Sequence, residues 1–235
     1  MPDLLTAKQL AEYLQLSPRS IYRLLERGLL PATKIGGQWR FRKTDIDQWI
    51  DVNASKLPEE LNPLRAGPAS PYPDVSELLD PANALIRVRA GDRDSAVRSF
   101  VQQLRFPEPV DQDLLVERIL ERERLCSTAV PEGVALLHTP RNRPRLLRAH
   151  DLVALGRLER PLDFGALDGR LTDTVALVLA RDERHHLGLL AKMARLFREP
   201  ALVQGLRSVA DARDAIDLVR RTEELVFLPA PMAAR

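Results

Sequence analysis

The sequence predicts two domains of different class: a small, mainly α head and a larger α/β body with a central mixed sheet flanked by helices. Three observations carry that division. Residues 1–52 hold short amphipathic helices with capping signals and one ribbon. Five prolines (Pro58, Pro63, Pro68, Pro71 and Pro73) then fall between Asn53 and Asp74, a composition that extends the chain and buries no core. From Val75 onward, apolar strand-like runs alternate with helical ones. The expected organisation is therefore a head over 1–52, a linker over 53–74, a body over 75–228 and a tail over 229–235.

In the head, Thr6 and Gln9 fit a capping box, each side chain satisfying the other's backbone amide. Ala7, Leu10, Ala11 and Leu14 follow on one helical face. Ser17-Pro18 opens a second helix, with serine as N-cap and proline at the first position, where its missing N–H does no harm. Ile21, Leu24 and Leu25 face inward, and Gly28 stops the helix. "ATKIGGQWRFRK" alternates about Gly36-Gly37, the pattern of a hairpin. Thr44 and Asp47 cap a third helix carrying Ile46, Trp49 and Ile50. A short helical turn at residues 58–61 interrupts the linker.

In the body, "ALIRVRA", "GVALLHT", "DLVALGRLE" and "DTVALVLAR" read as strands. Residues 92–105 and 110–125, "HHLGLLAKMARLFRE" and "DARDAIDLVRR" read as helices. There is no internal repeat.

Composition narrows the function class. With 45% hydrophobic and 29% charged residues, the chain is a soluble globular type. Net charge is only +2, yet its distribution is uneven. The first 50 residues carry eight cations (Lys8, Arg19, Arg23, Arg27, Lys34, Arg40, Arg42, Lys43) against five acids (Asp3, Glu12, Glu26, Asp45, Asp47), leaving +3 there and −1 elsewhere. A basic head on a neutral body directs nucleic acid to the head. The single cysteine, Cys126, excludes an internal disulfide and a cysteine-rich zinc site. No apolar run is long enough to cross a bilayer and residues 1–6 begin no signal peptide, so no membrane insertion and a cytoplasmic location are expected.

Two helices joined by the short "QLS" turn make a helix-turn-helix, whose second helix would enter the major groove of double-stranded DNA. Its N-terminal polar face offers Ser17, Arg19, Ser20, Tyr22 and Arg23; the ribbon offers Lys34, Gly37, Gln38, Trp39, Arg40 and Arg42. Arginine forks onto guanine or clamps a phosphate, and glycine lets a backbone amide approach one. A helical scaffold with a solvated basic face is the plainer alternative. The stretch "LLTAKQLAEYLQLSPRSIYRLLERGLLPATKIGGQWRFRKTDIDQWI" resembles the excisionase/MerR-like winged helix-turn-helix domain. The resemblance implies that the helix from Pro18 to Arg27 is the recognition helix and that the hairpin around Gly37 is the wing, in a bacterial transcriptional regulator or architectural protein. The long dimerisation helix of MerR proteins is missing from the sequence, which leaves the oligomeric state open, a homodimer included.

The body contains four histidines, His138, His150, His185 and His186. A lone histidine ending a strand is ordinarily a hydrogen-bonded structural residue. Zinc spacings, a G-x-S-x-G elbow, a phosphate-binding lysine loop and a dinucleotide fingerprint are all missing, so neither a metal nor a cofactor is expected. Histidine as a nucleophile remains. Neutral imidazole attacks phosphoryl groups directly, given exposure at the carboxyl edge of a sheet and donors for the phosphoryl oxygens. His186 begins a helix after a strand expected beside that of His138, and helix N-termini attract anions.

"LERERLCSTAVPEGVALLHTPR" and "LDFGALDGRLTDTVALVLARDERHHLGLLAKMARLFREPALVQGLRSV" resemble type-2 enzyme IIA domains of the sugar phosphotransferase system, the fructose/mannitol/nitrogen-regulatory class. The resemblance runs from Val75 to Phe227. It implies that His138 accepts a phosphoryl group from a histidine phosphocarrier protein. It also implies that His186 is the second active-site histidine, Arg122 the active-site arginine, Thr128 the neighbouring hydroxyl and Gly133 the glycine opening the strand. His150 and His185 fall outside the pattern and are expected at the surface. The sequence departs from the family at Leu137, where proline is usual, at Ala129 and Pro131, where glycines are usual, and in the run Arg141, Arg143, Arg145 and Arg148. These features together predict a DNA-binding regulator whose body couples phosphotransferase status to regulation, through a protein target of that body. The alternatives are a phosphocarrier component serving a sugar transporter or kinase partner, and a domain that only binds proteins.

Overall fold

A computed structural model of the chain describes residues 4–14, 18–46, 49, 72–125, 127–140, 146–147, 149–166 and 168–227. Ser17, Asp47, Ile50, residues 53–71 of the expected linker, Arg141, Arg143, Arg145, Arg148 and the tail lie outside the described residues. The chain divides into two compact units, Met1–Gly67 and Pro68–Arg235.

The head is built from β1 (Leu4–Leu5), α1 (Ala7–Leu14), α2 (Pro18–Glu26), β2 (Thr33–Ile35) and β3 (Gln38–Arg42), with its strands in the order β1-β3-β2. The capping box forms: Thr6 N donates to Gln9 Oε1 at 2.9 Å, and Gln9 N to Thr6 Oγ1 at 3.2 Å. At the end of α2, Gly28 N donates to Leu25 O and Leu29 N to Leu24 O, both at 2.9 Å, closing the helix on its own carbonyls. Gly36 and Gly37 both adopt positive φ (57° and 80°), as a two-residue hairpin turn between strands requires. Leu5, Leu10, Ile21, Leu24, Phe41 and Ile46 form the core, and Leu25 is only half-buried. The third helix begins at residue 43, one residue ahead of the expected cap Thr44, whose hydroxyl instead donates to Asp45 Oδ1 at 3.3 Å.

The body contains α3 (Val75–Leu78), β4 (Ile86–Val88), α4 (Arg93–Gln102), α5 (Gln112–Leu125), β5 (Ala129–Val130), β6 (Val134–His138), β7 (Leu152–Leu162), β8 (Thr172–Leu179), α6 (Glu183–Leu196), α7 (Pro200–Ser208) and α8 (Ala212–Phe227). The sheet order is β4-β7-β8-β6-β5. β4 runs parallel to β7 and β6 parallel to β8, whereas β7–β8 and β5–β6 are antiparallel. The sheet is therefore mixed, as expected. Its central strands are buried on both faces, which explains their continuous apolar sequence. Alternate residues serve opposite cores. Val134, Leu136, Ala176 and Val178 pack with α6, α7 and α8; Ala135, Leu137, Val175 and Leu177 pack with α4 and α5. Leu137, standing where the resembled family has proline, is fully buried in the second core.

Tyr72, Pro73 and Asp74, at the C-terminal end of the stretch read as linker, are held against the body. The Lys192 ammonium donates to Tyr72 O at 3.4 Å, Pro73 O at 3.1 Å and Asp74 Oδ1 at 2.7 Å. The Tyr72 ring lies on α6 so closely that a Cβ on Gly188 would fall 2.4 Å from it. Among the described residues no helix is long and apolar enough to cross a membrane.

Candidate active site

The alternation that builds the sheet also places the first functional side chain. His138 is the last residue of β6 and continues the face of Val134 and Leu136, which looks toward α6. It pairs with Val178 near the end of the parallel β8, so His138 and the chain entering α6 share the carboxyl edge of the sheet. Contrary to the expectation of an exposed ring, His138 is 3% exposed. Gly133 opens the strand with φ +79°, and a Cβ there would sit 2.9 Å from Leu171 O, so a side chain is excluded.

Both ring nitrogens of His138 are engaged. Nδ1 lies 2.8 Å from Leu136 O, a group that only accepts, so Nδ1 carries the proton. Nε2 is consequently a lone-pair nitrogen, and the Arg122 Nε–H donates to it at 3.1 Å. Arg122 reaches this point from the last turn of α5 and is itself buried. His186, from α6, lies beside it, its ring centroid 5.6 Å from that of His138 at an interplanar angle of 60°. The expected trio of His138, His186 and Arg122 is thus one buried cluster.

The start of α6 differs from expectation. The helix begins at Glu183, capped by Asp182, whose carboxylate accepts the His185 amide at 2.8 Å. His186 lies one turn in, with its amide bonded to Asp182 O at 3.0 Å. An acidic side chain therefore occupies the helix N-terminus, and α6 contributes the His186 ring rather than open amides. Partial burial works against the Asp182 charge, but the His185 amide and ring outweigh it and hold its carboxyl below the usual range.

Thr128 does not turn its hydroxyl to His138. The hydroxyl donates to the Glu123 carboxylate, which also takes the Thr128 amide at 3.2 Å. His185, expected at the surface, is half-buried: Nδ1 lies 2.7 Å from Asp182 Oδ2 and Nε2 lies 2.7 Å from an Arg181 guanidinium nitrogen. His150 is exposed and sits 3.6 Å from Glu108. Among the described residues no group of three or more His, Cys, Asp or Glu could hold a metal ion.

In the head, Arg19, Tyr22, Lys34, Gly37, Gln38 and Arg42 are exposed, while Ser20, Arg23, Trp39 and Arg40 are half-buried. Arg40 is braced by the wing itself, donating to Gln38 Oε1 at 2.9 Å and Trp39 O at 3.0 Å. Lys34 stands 5.7 Å over the Trp39 ring.

Comparison with known proteins separates the same two parts. Residues 4–53 match a family described as a helix-turn-helix domain. Residues 77–222, more than half of the chain, match the family described as phosphoenolpyruvate-dependent sugar phosphotransferase system, EIIA 2. A nitrogen regulatory protein of Bradyrhizobium diazoefficiens is 32% identical over 141 residues, 59% of this chain and 90% of the relative. One from Pseudomonas aeruginosa is 27% identical over 150 residues, 62% of this chain and 94% of the relative. Among solved structures, the nitrogen regulatory protein IIA-Ntr of Neisseria meningitidis superposes with a TM-score of 0.55 at 22% identity, covering 62% of this chain and 98% of that one. That likeness shows the shared fold of the body.

Proposed function

The chain belongs to the phosphoenolpyruvate-dependent sugar phosphotransferase system EIIA 2 family, and from that premise we propose that His138 is a phosphoryl acceptor coupled to a DNA-binding head. The observation that supports this most is the state of the His138 ring. Its proton is held at Nδ1 by Leu136 O, and its Nε2 lone pair faces a guanidinium. A neutral imidazole with one fixed tautomer is the reactive form for attack on phosphorus.

In the proposed transfer, Nε2 of His138 attacks the phosphoryl group of a phosphohistidine on a phosphocarrier protein. The new P–Nε2 bond forms as the donor's P–N bond breaks, and the donor ring, protonated on its other nitrogen, leaves as neutral imidazole with the electron pair. His138 becomes a phosphoimidazolium that keeps its Nδ1–H on Leu136 O. Arg122 has to release the Nε2 lone pair for the attack, and the same Nε–H can then bond a phosphoryl oxygen and offset its charge. The His186 ring, 5.6 Å from that of His138 between centroids, is near enough to take part in holding the phosphoryl group. The phosphoryl group itself carries about −1.5 to −2 charges at neutral pH, taking the value for phosphorylated hydroxyls, and the new positive charge of the ring offsets part of it.

The head supports regulation as the purpose. Arg19 and Tyr22 on α2, with Lys34, Gln38 and Arg42 on the wing, form an exposed basic set suited to a major groove and its flanking phosphates. A carrier that only passes phosphate to a transport partner uses the same His138 chemistry; a multiphosphoryl transfer protein of Escherichia coli O157:H7, 26% identical over 163 residues that make up 18% of its length, is in keeping with phosphoryl transfer as such. The head has no part in that second reading.

The test is phosphoenolpyruvate-dependent labelling by the general phosphotransferase proteins, on wild type and His138→Ala, followed by DNA binding of both labelled and unlabelled protein across a salt series. Labelling is expected only in wild type, and DNA affinity is expected to fall with salt. Labelling that persists in His138→Ala removes the site, and salt-independent DNA binding removes phosphate contacts by the head.

A further inference from the structure

His138, Arg122 and His186 leave one buried acid beside them without a part in the transfer. Glu123 follows Arg122 in α5 and is 3% exposed. Burial pushes its carboxyl above the usual range, against the opposing pull of the Thr128 bonds and Arg122. A residue needed for packing alone would be apolar at this depth, because burying an acid is costly unless its bonds are specific.

Its bonds are specific. Glu123 accepts the Thr128 amide at 3.2 Å to Oε1 and 3.3 Å to Oε2, and Oε1 also accepts the Thr128 hydroxyl. Thr128 O in turn accepts the Leu136 amide at 3.0 Å, extending the pairing of β5 with β6 by one residue. Leu136 O then accepts the proton of His138 Nδ1 at 2.8 Å. A relay of contacts therefore runs from Glu123 through Thr128 and Leu136 to the nucleophile's ring. The relay matters because β5 is an edge strand of two residues, joined to β6 through Ala129↔Ala135 and Val130↔Val134. So short a pairing fixes register weakly.

We infer that Glu123 is a positioning residue for His138: by clamping Thr128 it sets the β5–β6 register that offers Leu136 O to Nδ1 and turns Nε2 to Arg122. The consequence for rate rests on the phosphoryl-transfer reading above, whereas the consequence for the ring does not. Glu123 acts at a distance and touches no reacting atom.

The experiment uses the full chain with 15N-labelled histidine, in wild type, Glu123→Ala, Glu123→Gln and Thr128→Val. Ring-nitrogen NMR shifts report the tautomer of unphosphorylated His138, and single-turnover labelling reports the rate. Wild type is expected to show the Nδ1–H tautomer alone. Glu123→Ala is expected to show both tautomers and to lose about tenfold to hundredfold in kcat, with KM for the phosphocarrier unchanged. Glu123→Gln, which still accepts from Thr128, is expected to restore the single tautomer and most of the rate. A folded Glu123→Ala with a wild-type ring signature overturns the inference. Should that variant fail to fold, Thr128→Val removes the hydroxyl at nearly constant volume. A mixed tautomer there supports the relay, and an unchanged one overturns it. Should wild type take no label while the ring still responds to Glu123, the positioning role stands and the transfer reading falls.

Discussion

Two charged clusters are buried along α6, and they are built to opposite ends. In the middle of the helix, Lys192 is fully buried and its three ammonium protons meet Tyr72 O, Pro73 O and Asp74 Oδ1. Beside it, the Glu223 carboxylate takes the Val75 and Ser76 amides at 2.6 and 2.9 Å. These partners are mostly fixed backbone groups, so the cluster is a clamp that joins α3, α6 and α8. At the N-terminal turn, His186 faces His138, whose Nε2 is met by an arginine N–H. A guanidinium can move from a ring nitrogen to an arriving anion, whereas a backbone carbonyl cannot leave its place. Under the proposed transfer, what separates the two clusters is the mobility of the partner group rather than the burial of charge.

That contrast can be broken from either side. The largest effect is expected at Arg122. Arg122→Gln should slow single-turnover phosphorylation by about 10²–10³-fold, as loss of a charge-stabilising donor does, with the protein still folded. The matching change in the clamp, Lys192→Ala, should leave the His138 tautomer untouched and cost about 3 kcal/mol in urea unfolding, because Glu223 loses its buried counter-charge. Asp74 is more than half exposed, so Asp74→Asn should cost less than about 1 kcal/mol.

Gly188→Ala sharpens the comparison, since its Cβ would strike the Tyr72 ring. A cost of about 1–3 kcal/mol is expected, and Tyr72→Ala in the same chain should relieve part of it in a double-mutant cycle. The smallest effect is one of pH. Because burial raises the Glu123 carboxyl above its unfolded value, the unfolded chain loses this proton first as pH rises. The contribution of Glu123 is therefore whole below the ordinary carboxylate range and is lost as pH rises through the folded pKa. Glu123→Gln, which does not titrate, should remove that decline from the stability–pH curve.

Much of the fold was legible because local signals agreed with the tertiary outcome. The apolar runs of β6, β7 and β8 are long enough to read as strands buried on both faces, and the Thr6–Gln9 box and the Gly36-Gly37 turn act through neighbours in sequence. α7 escaped notice: its N-cap, Glu199, makes no side-chain bond, and Gly205 weakens the helical pattern. The proline at its first position, with Leu202, Val203 and Leu206 beyond it, was the signal to weigh. β1 and β5 are two residues each and show no period.

Within the candidate site, the roles of His138, His186 and Arg122 came from the resemblance to a family, and the structure brings the three together. The hold of Glu123 on Thr128 lay hidden because it depends on how α5 turns into β5. The partners of His185 are a cap three residues away and an arginine four residues away, close enough in sequence that a surface assignment was too simple. The clamp on Tyr72 spans 120 positions and has no sequence signature.

The central claim is that Nε2 of His138 receives the phosphoryl group. The direct measurement is 15N–31P NMR on the full chain, phosphorylated from phosphoenolpyruvate through the phosphocarrier with 15N-labelled histidine. The account predicts a single phosphoramidate whose one-bond coupling lies on Nε2 of His138, with Nδ1 still protonated. Phosphorus bonded to Nδ1 of His138, or carried by His185 or His186, would contradict it.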